Sequence, residues 1–326
     1  MSKLSHGLVL WIMIHAGMTS VVAAAEPPSP YPTVIALRDA HDRSLLRELR
    51  QYIESRPQAE DLDQAYQTLF QTVIDHDWFI DHEDLARGYL KSRSEGVAAP
   101  LARIVTVMGR AKAKAFDDAM IAYQDLMRNI GGPEQEDFAQ SFTEALAAAA
   151  AAEGKPEVAR RIYELLSEKY AASSEKIREK VNLELARLDR IGKPAPELAA
   201  KDLKSDSITL KDLKGKYVLI DFWATWCGPC LNELPNLEST YKSIGSENLE
   251  IVSVSLDETV AAVTDFLKTR PLAWRQVHNA TCGADWVAAF GVGSIPATVL
   301  IDPKGIVSRI DLRGPDLEST LRSLIQ

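Results

Sequence analysis

"KYVLIDFWATWCGPC", residues 216 to 230, decides the fold. Its first half is an apolar run that reads as a buried strand. Its second half closes on two cysteines with only Gly228 and Pro229 between them. The residues that follow read as a helix from about 228 to 243, so Cys227 sits where the strand gives way to the helix. Unpaired N–H groups and the macrodipole at a helix N-terminus favour an anion. A thiolate is such an anion, so this position should lower the Cys227 pKa from the free value of about 8.5. Cys230, one turn deeper, faces the same side and can attack a mixed disulfide. Trp226 and Pro229 flank the pair, positioned to shield and stiffen the turn.

Three chemistries compete for the pair: a zinc site, a structural disulfide and a reactive dithiol. Zinc needs two further ligands, as a second C-x-x-C or paired histidines. The second half of the chain offers only Cys282 and His278, with no partner motif. A disulfide that closes so short a loop removes little chain entropy and is a poor staple. C-x-x-C beside a strand–helix pattern reads as redox, which leaves the dithiol as the better explanation.

Outward from the motif, strands and helices alternate. Strand "YVLIDFW" and its helix are followed by strand "LEIVSVSL", helix "TVAAVTDFLKT" and a short strand near "WRQV". Helix "ADWVAAFG", strands "ATVLID" and "IVSRIDL" joined by a hairpin at "DPKG", and helix "PDLESTLRSLI" complete the series. This is an α/β layer pattern. It begins where Pro194 and Pro196 break the preceding helix, which sets a domain boundary at about 192.

Upstream, from about Tyr31 to Ile191, the periodicity is helical. Leu45, Leu46, Leu49 and Ile53 form one stripe, and Leu62, Tyr66, Leu69 and Val73 another. Further helices are expected over "AFDDAMIAYQDLMRNIGG", "EDFAQSFTEALAAAAAAEG", "KPEVARRIYELLSEKYAAS" and "SEKIREKVNLELARLDRIG". The small-residue helix, Gly turn and aromatic-and-Leu helix across 145–170 resemble a tetratricopeptide-type pair. Tyr66, Tyr123 and Tyr163 lack a fixed spacing, which argues against a true repeat array. The expectation is an all-α domain, a helical-hairpin array or bundle, that scaffolds or contacts a partner. Within it, "DHDWFIDHED" carries His76 and His82 among five acids. The histidines lack the i, i+4 spacing of a helical metal site, so it reads as a solvated loop with Asp81 capping the next helix and Trp78 and Phe79 packed inward.

The chain has 326 residues, 46% hydrophobic and 25% charged, with net charge −9 and three cysteines. That describes two ordinary globular domains. The acidic balance argues against nucleic acid, and so few cysteines exclude a disulfide scaffold. The first 25 residues carry Lys3, a mostly apolar stretch and Ala23 and Ala25 before Glu26. They read as a secretory signal peptide, with an uncleaved N-terminal anchor as the alternative. The expected organisation is a signal peptide over 1–25, a helical domain over 26–191 and an α/β domain over 192–326. The expected location is periplasm or cell envelope.

"VLIDFWATWCGPC" with "SIPATVLID" resembles the thioredoxin fold. "GKPAPELAAKDL" with "LKGKYVLIDFWATWCGPCLNELPNLESTY" resembles more closely its exported TlpA/ResA-type thiol-disulfide oxidoreductases. The resemblance covers about residues 192 to 326 and not the helical half. It implies Cys227 as nucleophile, Cys230 as resolving thiol and Asp221 as a buried acid serving the second cysteine. Glu233 would tune the pair. Pro296 would be the cis-proline that exposes the backbone of Ile295 to an extended substrate segment. No cofactor beyond the Cys227–Cys230 disulfide and no metal is implied. Partners would be protein disulfides or dithiols, conceivably apocytochrome cysteines as in cytochrome c maturation, and a membrane electron donor. Where thioredoxin carries a lysine beside the buried acid, this chain offers Ser253 and Ser255. Cys282 falls outside the motif and reads as a buried, inert thiol.

Gly-Pro between the cysteines is the pair found in thioredoxin, the reducing member at about −270 mV. It favours a reductant of protein disulfides. An oxidase or isomerase, and a partner-binding module with a sensing dithiol, remain as alternatives. A peroxidase of the peroxiredoxin type expects Thr three residues before the reactive cysteine, where this chain has Ala224.

Overall fold

The computed structural model describes residues 31–314 and 316–325. The signal-peptide reading lies outside the described residues. Eight α-helices precede the first strand among the described residues: α1 Val34–Ser55, α2 Leu62–Asp75, α3 Glu83–Ser92, α4 Ala99–Lys112, α5 Phe116–Asn129, α6 Glu136–Ala152, α7 Pro156–Tyr170 and α8 Glu175–Leu188. Sequence neighbours pack on each other, α3 on α4, α4 on α5, α6 on α7 and α7 on α8, in the manner of helical hairpins. Gly154, at φ +74°, makes the α6–α7 turn, and a Cβ there would meet the Arg309 guanidinium at 2.6 Å.

Helix α4 was not legible from periodicity. α4 is buried almost all round, at Ala99, Ala102, Arg103, Val105, Thr106, Val107, Gly109 and Ala111. A helix enclosed on every side has no polar face to set against its apolar one. Its β-branched run and internal glycine also weaken helix propensity. Asp81 does not cap the next helix as expected. α3 starts at Glu83 with His82 in the cap position, and no side chain caps it. The surrounding segment is a paired surface loop: Asp77 meets Lys112, Glu83 meets Arg110, and His82 Nδ1 lies 3.0 Å from the Trp78 carbonyl. Phe79 is buried and Trp78 packs partly against the same core.

After α8 come a hairpin, β1 Ala199–Lys201 with β2 Ser207–Thr209, and then the alternating series. This comprises β3 Tyr217–Trp223, α9 Gly228–Ile244, β4 Leu249–Ser255, α10 Val260–Thr269, β5 Arg275–His278, α11 Trp286–Phe290, β6 Ala297–Ile301, β7 Val307–Ile310 and α12 Asp316–Ile325. The sheet order is β5-β4-β3-β6-β7. β3 runs parallel to β4 and antiparallel to β6, placing Asp221 between Ser253 and Thr298. It is the thioredoxin-type sheet expected of this half. The two parallel crossovers put α9 and α10 on one face of the sheet, and α12 packs against α9.

Alternation along β3 divides the core. Leu219 faces Leu234 and Leu237 of α9 and Leu317 and Leu321 of α12, while Trp223 joins the two cysteines and Val263 of α10. Val218, Ile220 and Phe222 face the other way, into a core that runs without interruption to Ile162, Leu166, Ile177 and Val181 of α7 and α8. Contacts divide the chain after Leu45, and residues 46–326 form one compact unit.

Candidate active site

β3 ends at Trp223, the chain turns through Ala224, Thr225 and Trp226, and Cys227 becomes the N-cap of α9. Its Sγ accepts the Cys230 N–H at 3.2 Å, the place an N-cap oxygen normally takes. Pro229, in the first turn, lacks a donor that the helix start could not have satisfied. Cys227 and Cys230 form a disulfide with Cα atoms 5.2 Å apart, and both residues are buried. Trp226 beside them is 67% exposed. The Ile295–Pro296 peptide bond is cis, and Ile295 packs against the cluster that holds the disulfide.

The approach to the disulfide is anchored from β4 and the loop after it. The buried Asp257 carboxylate accepts the Thr225 hydroxyl at 2.6 Å, the Thr225 N–H at 3.2 Å and the Ser255 hydroxyl at 2.7 Å. His278 Nε2–H donates to the Asp257 carbonyl at 2.8 Å. A carboxylate with this many donors is satisfied in a buried setting. It fixes the residue two positions before Cys227.

Asp221, Leu219 and Trp223 point to the same face of β3, so Asp221 lies beneath α9, between the layer of Leu234 and Leu237 and that of the cysteines. Burial pushes its carboxyl up to about 7, the Ser253 hydrogen bond opposes this, and the nearby Glu233 charge adds to it. The Trp274 indole N–H donates to Ser253 Oγ at 2.8 Å, and Ser253 donates to Asp221 Oδ2 at 2.9 Å. Trp274 can only donate and an ionised carboxylate can only accept, so toward ionised Asp221 the serine hydroxyl is the donor. Glu233 is half-buried, and its Oε2 accepts the Gly314 N–H at 2.8 Å. Arg313, one residue earlier, donates to the Pro296 carbonyl at 2.8 Å.

The structure therefore gathers Cys227, Cys230, Ile295, Trp226 and Pro229 around one turn, with Asp221 beneath α9, Glu233 on α9 one turn after Cys230, and Pro296 next to Ile295. Cys282 is apart. It is buried in the opposite core, with Sγ 3.1 Å from the Ala284 carbonyl. Sequence reasoning missed Asp257, Trp274, Arg313 and Gly314. Asp257 carried a usable signal, an acid ending the apolar run "IVSVSLD". Trp274, Arg313 and Gly314 act through tertiary contacts that no local pattern encodes.

Known proteins similar to this chain match its second half. Residues 191–310 match the model of the AhpC/TSA family. Thiol-disulfide oxidoreductase ResA of Bacillus cereus is 38% identical over 118 residues, covering 36% of this chain and 67% of that protein. ResA of Bacillus thuringiensis subsp. konkukian is 34% identical over 136 residues, covering 42% of this chain and 77% of that protein. The thioredoxin domain of a Bacteroides vulgatus thiol-disulfide oxidoreductase aligns at TM-score 0.38 and 31% identity, over 42% of this chain and 98% of that one.

Proposed function

Through its C-terminal half the chain belongs to the family of thiol-disulfide oxidoreductase ResA, and on that premise we propose that it is an exported dithiol reductant of protein disulfides. The observation that carries the reading is Cys227 in the N-cap position of α9. In the reduced protein a Cys227 thiolate at that position gains the helix-start N–H groups and the positive end of the dipole. The thiolate attacks one sulfur of a substrate disulfide, and the other sulfur leaves as a thiolate and takes up a proton. Cys230 then gives up its proton and attacks Cys227 in the mixed disulfide. The second substrate sulfur leaves and is protonated, and the protein is left with the Cys227–Cys230 disulfide. Two electrons and two protons have passed to the substrate.

Asp221 suits the proton step, since a group titrating near the working pH exchanges protons most effectively. Exposed Trp226 and the Ile295–Pro296 edge would hold the polypeptide around the attacked sulfur. The Gly-Pro pair between the cysteines supports the reductive direction, which in an oxidising compartment needs an electron donor. We assign the redox chemistry to residues 192–326 and recruitment to the helical half. No helix among the described residues is long and apolar enough to cross a membrane.

The test is covalent capture. Reduced Cys230→Ser protein, lacking the resolving thiol, is expected to accumulate a mixed disulfide with a disulfide-bonded model protein, cleared by dithiothreitol. Cys227→Ser is expected to form none. Equal adducts from both variants would reject the assignment of the nucleophile.

A further inference from the structure

Helix α8 lies against the loop that carries Pro296. A Cβ on Gly293 would meet Leu183 Cδ2 at 2.3 Å, so helix and loop touch where the loop has no side chain. One turn on, Arg187 reaches Asp311 with both terminal nitrogens, at 2.9 and 3.4 Å. Its Nη1 also donates to Glu184 at 2.7 Å, and Lys180 links Glu184 at 3.0 Å to Glu144 of α6 at 3.6 Å. The Arg187 and Asp311 side chains are only 6% and 12% exposed.

Asp311 stands at φ +57°, in the left-handed region that disfavours residues with a Cβ. Such a conformation persists where its surroundings over-determine it. Here the Arg187 fork holds the side chain, and the Asp311 N–H donates to the Thr298 carbonyl at 2.9 Å. The next residues carry that hold to the active site. The Leu312 carbonyl accepts the Thr298 hydroxyl, Arg313 holds the Pro296 carbonyl, and the Gly314 N–H holds Glu233. Between α6, α8 and this strap lies a cleft of about 210 Å³, with Glu144, Lys180, Ser294, Pro296 and Arg313 on its walls.

We propose that α6 and α8 of the helical half form the second wall of the substrate cleft, and that Arg187 and Asp311 are a positioning pair that sets the Pro296 loop for an extended polypeptide. The inference rests on the reading of protein disulfides as substrates. An extended segment fits because the sheet pairing of β6 begins at Ala297, which leaves Ile295 at an open edge where a strand can add. Charged groups of both signs line the cleft beyond, suited to peptide groups and polar side chains.

The experiment compares two disulfides on the reduced full-length protein: an extended peptide whose single cysteine is a mixed disulfide with thionitrobenzoate, and the small aromatic disulfide dithiobis(nitrobenzoate). Both release thionitrobenzoate in a single reaction with the reduced protein, so the ratio of the two second-order rate constants isolates contacts made only by the peptide. Removing both charges together in Arg187→Met/Asp311→Asn is expected to lower that ratio roughly tenfold or more, as misplacement of a binding edge does. Surface variant Arg313→Ala, which does not threaten the fold, is expected to do the same by freeing the Pro296 carbonyl. Arg187→Lys restores charge without the fork and should recover only part of the loss. An unchanged ratio in both the double variant and Arg313→Ala overturns the proposal. A wild-type protein that turns over the small disulfide but not the peptide overturns the polypeptide-substrate reading instead, and the second wall with it.

Discussion

Asp221 is the residue at which the chemistry and the stability of this protein meet. A carboxyl buried under α9 is costly in its charged form, and its pKa of about 7 expresses that cost. The unfolded chain loses this proton near 4, so between about pH 4 and 7 the folded state holds a proton that the unfolded state lacks. Stability therefore falls as pH rises through that window. Asp221→Asn has no such charge to bury. Its unfolding free energy relative to wild type, followed by urea denaturation, is expected to rise from pH 4 to 7 and then level off. The gain should be on the order of a few kcal/mol. A difference that is flat with pH would show that Asp221 is not held protonated. The acid itself was legible from its place in an apolar run. Its control by Ser253 and Trp274 was not, because the hydrogen-bond chain joins β3, β4 and the residue before β5, which are far apart in sequence.

Helix α9 and the turn before it form the element that makes a C-x-x-C reactive. The helix was legible almost to the residue, since strand, C-x-x-C and helical pattern follow without a break. The anchor of the turn was not. Asp257 collects donors from Thr225 and Ser255, and hydrogen bonds to a charged group are worth more than neutral ones. Asp257→Ala leaves those groups without their acceptor, and is expected to cost about 2 kcal/mol or more in urea unfolding. It should also slow thiolate attack by loosening the position of Cys227. Unchanged stability and an unchanged second-order rate constant for the reduced protein on a small disulfide would show that the turn holds itself. Helix α4 shows the opposite failure, where burial on nearly all sides removed the stripe that periodicity needs.

Across the whole molecule, the shift from helical to alternating grammar at about 192 marks a change of secondary structure within one continuous core. Phe222 and Val254 of the sheet belong to the same apolar cluster as Ile162 and Leu166 of α7. The helical half is thereby built against the redox half, and through Arg187, Asp311 and Arg313 it reaches the cis-proline loop. Sequence alone described that half as a scaffold or partner-contact domain, because the residues that join it to the site are single side chains without a motif. The direction of electron flow is the central claim. Its most direct test is the equilibrium of the Cys227–Cys230 pair with dithiothreitol and glutathione, measured on the full chain carrying Cys282→Ser. The account predicts a potential near that of thioredoxin, about −270 mV, and a value near −120 mV, as in the strong oxidants, would contradict it.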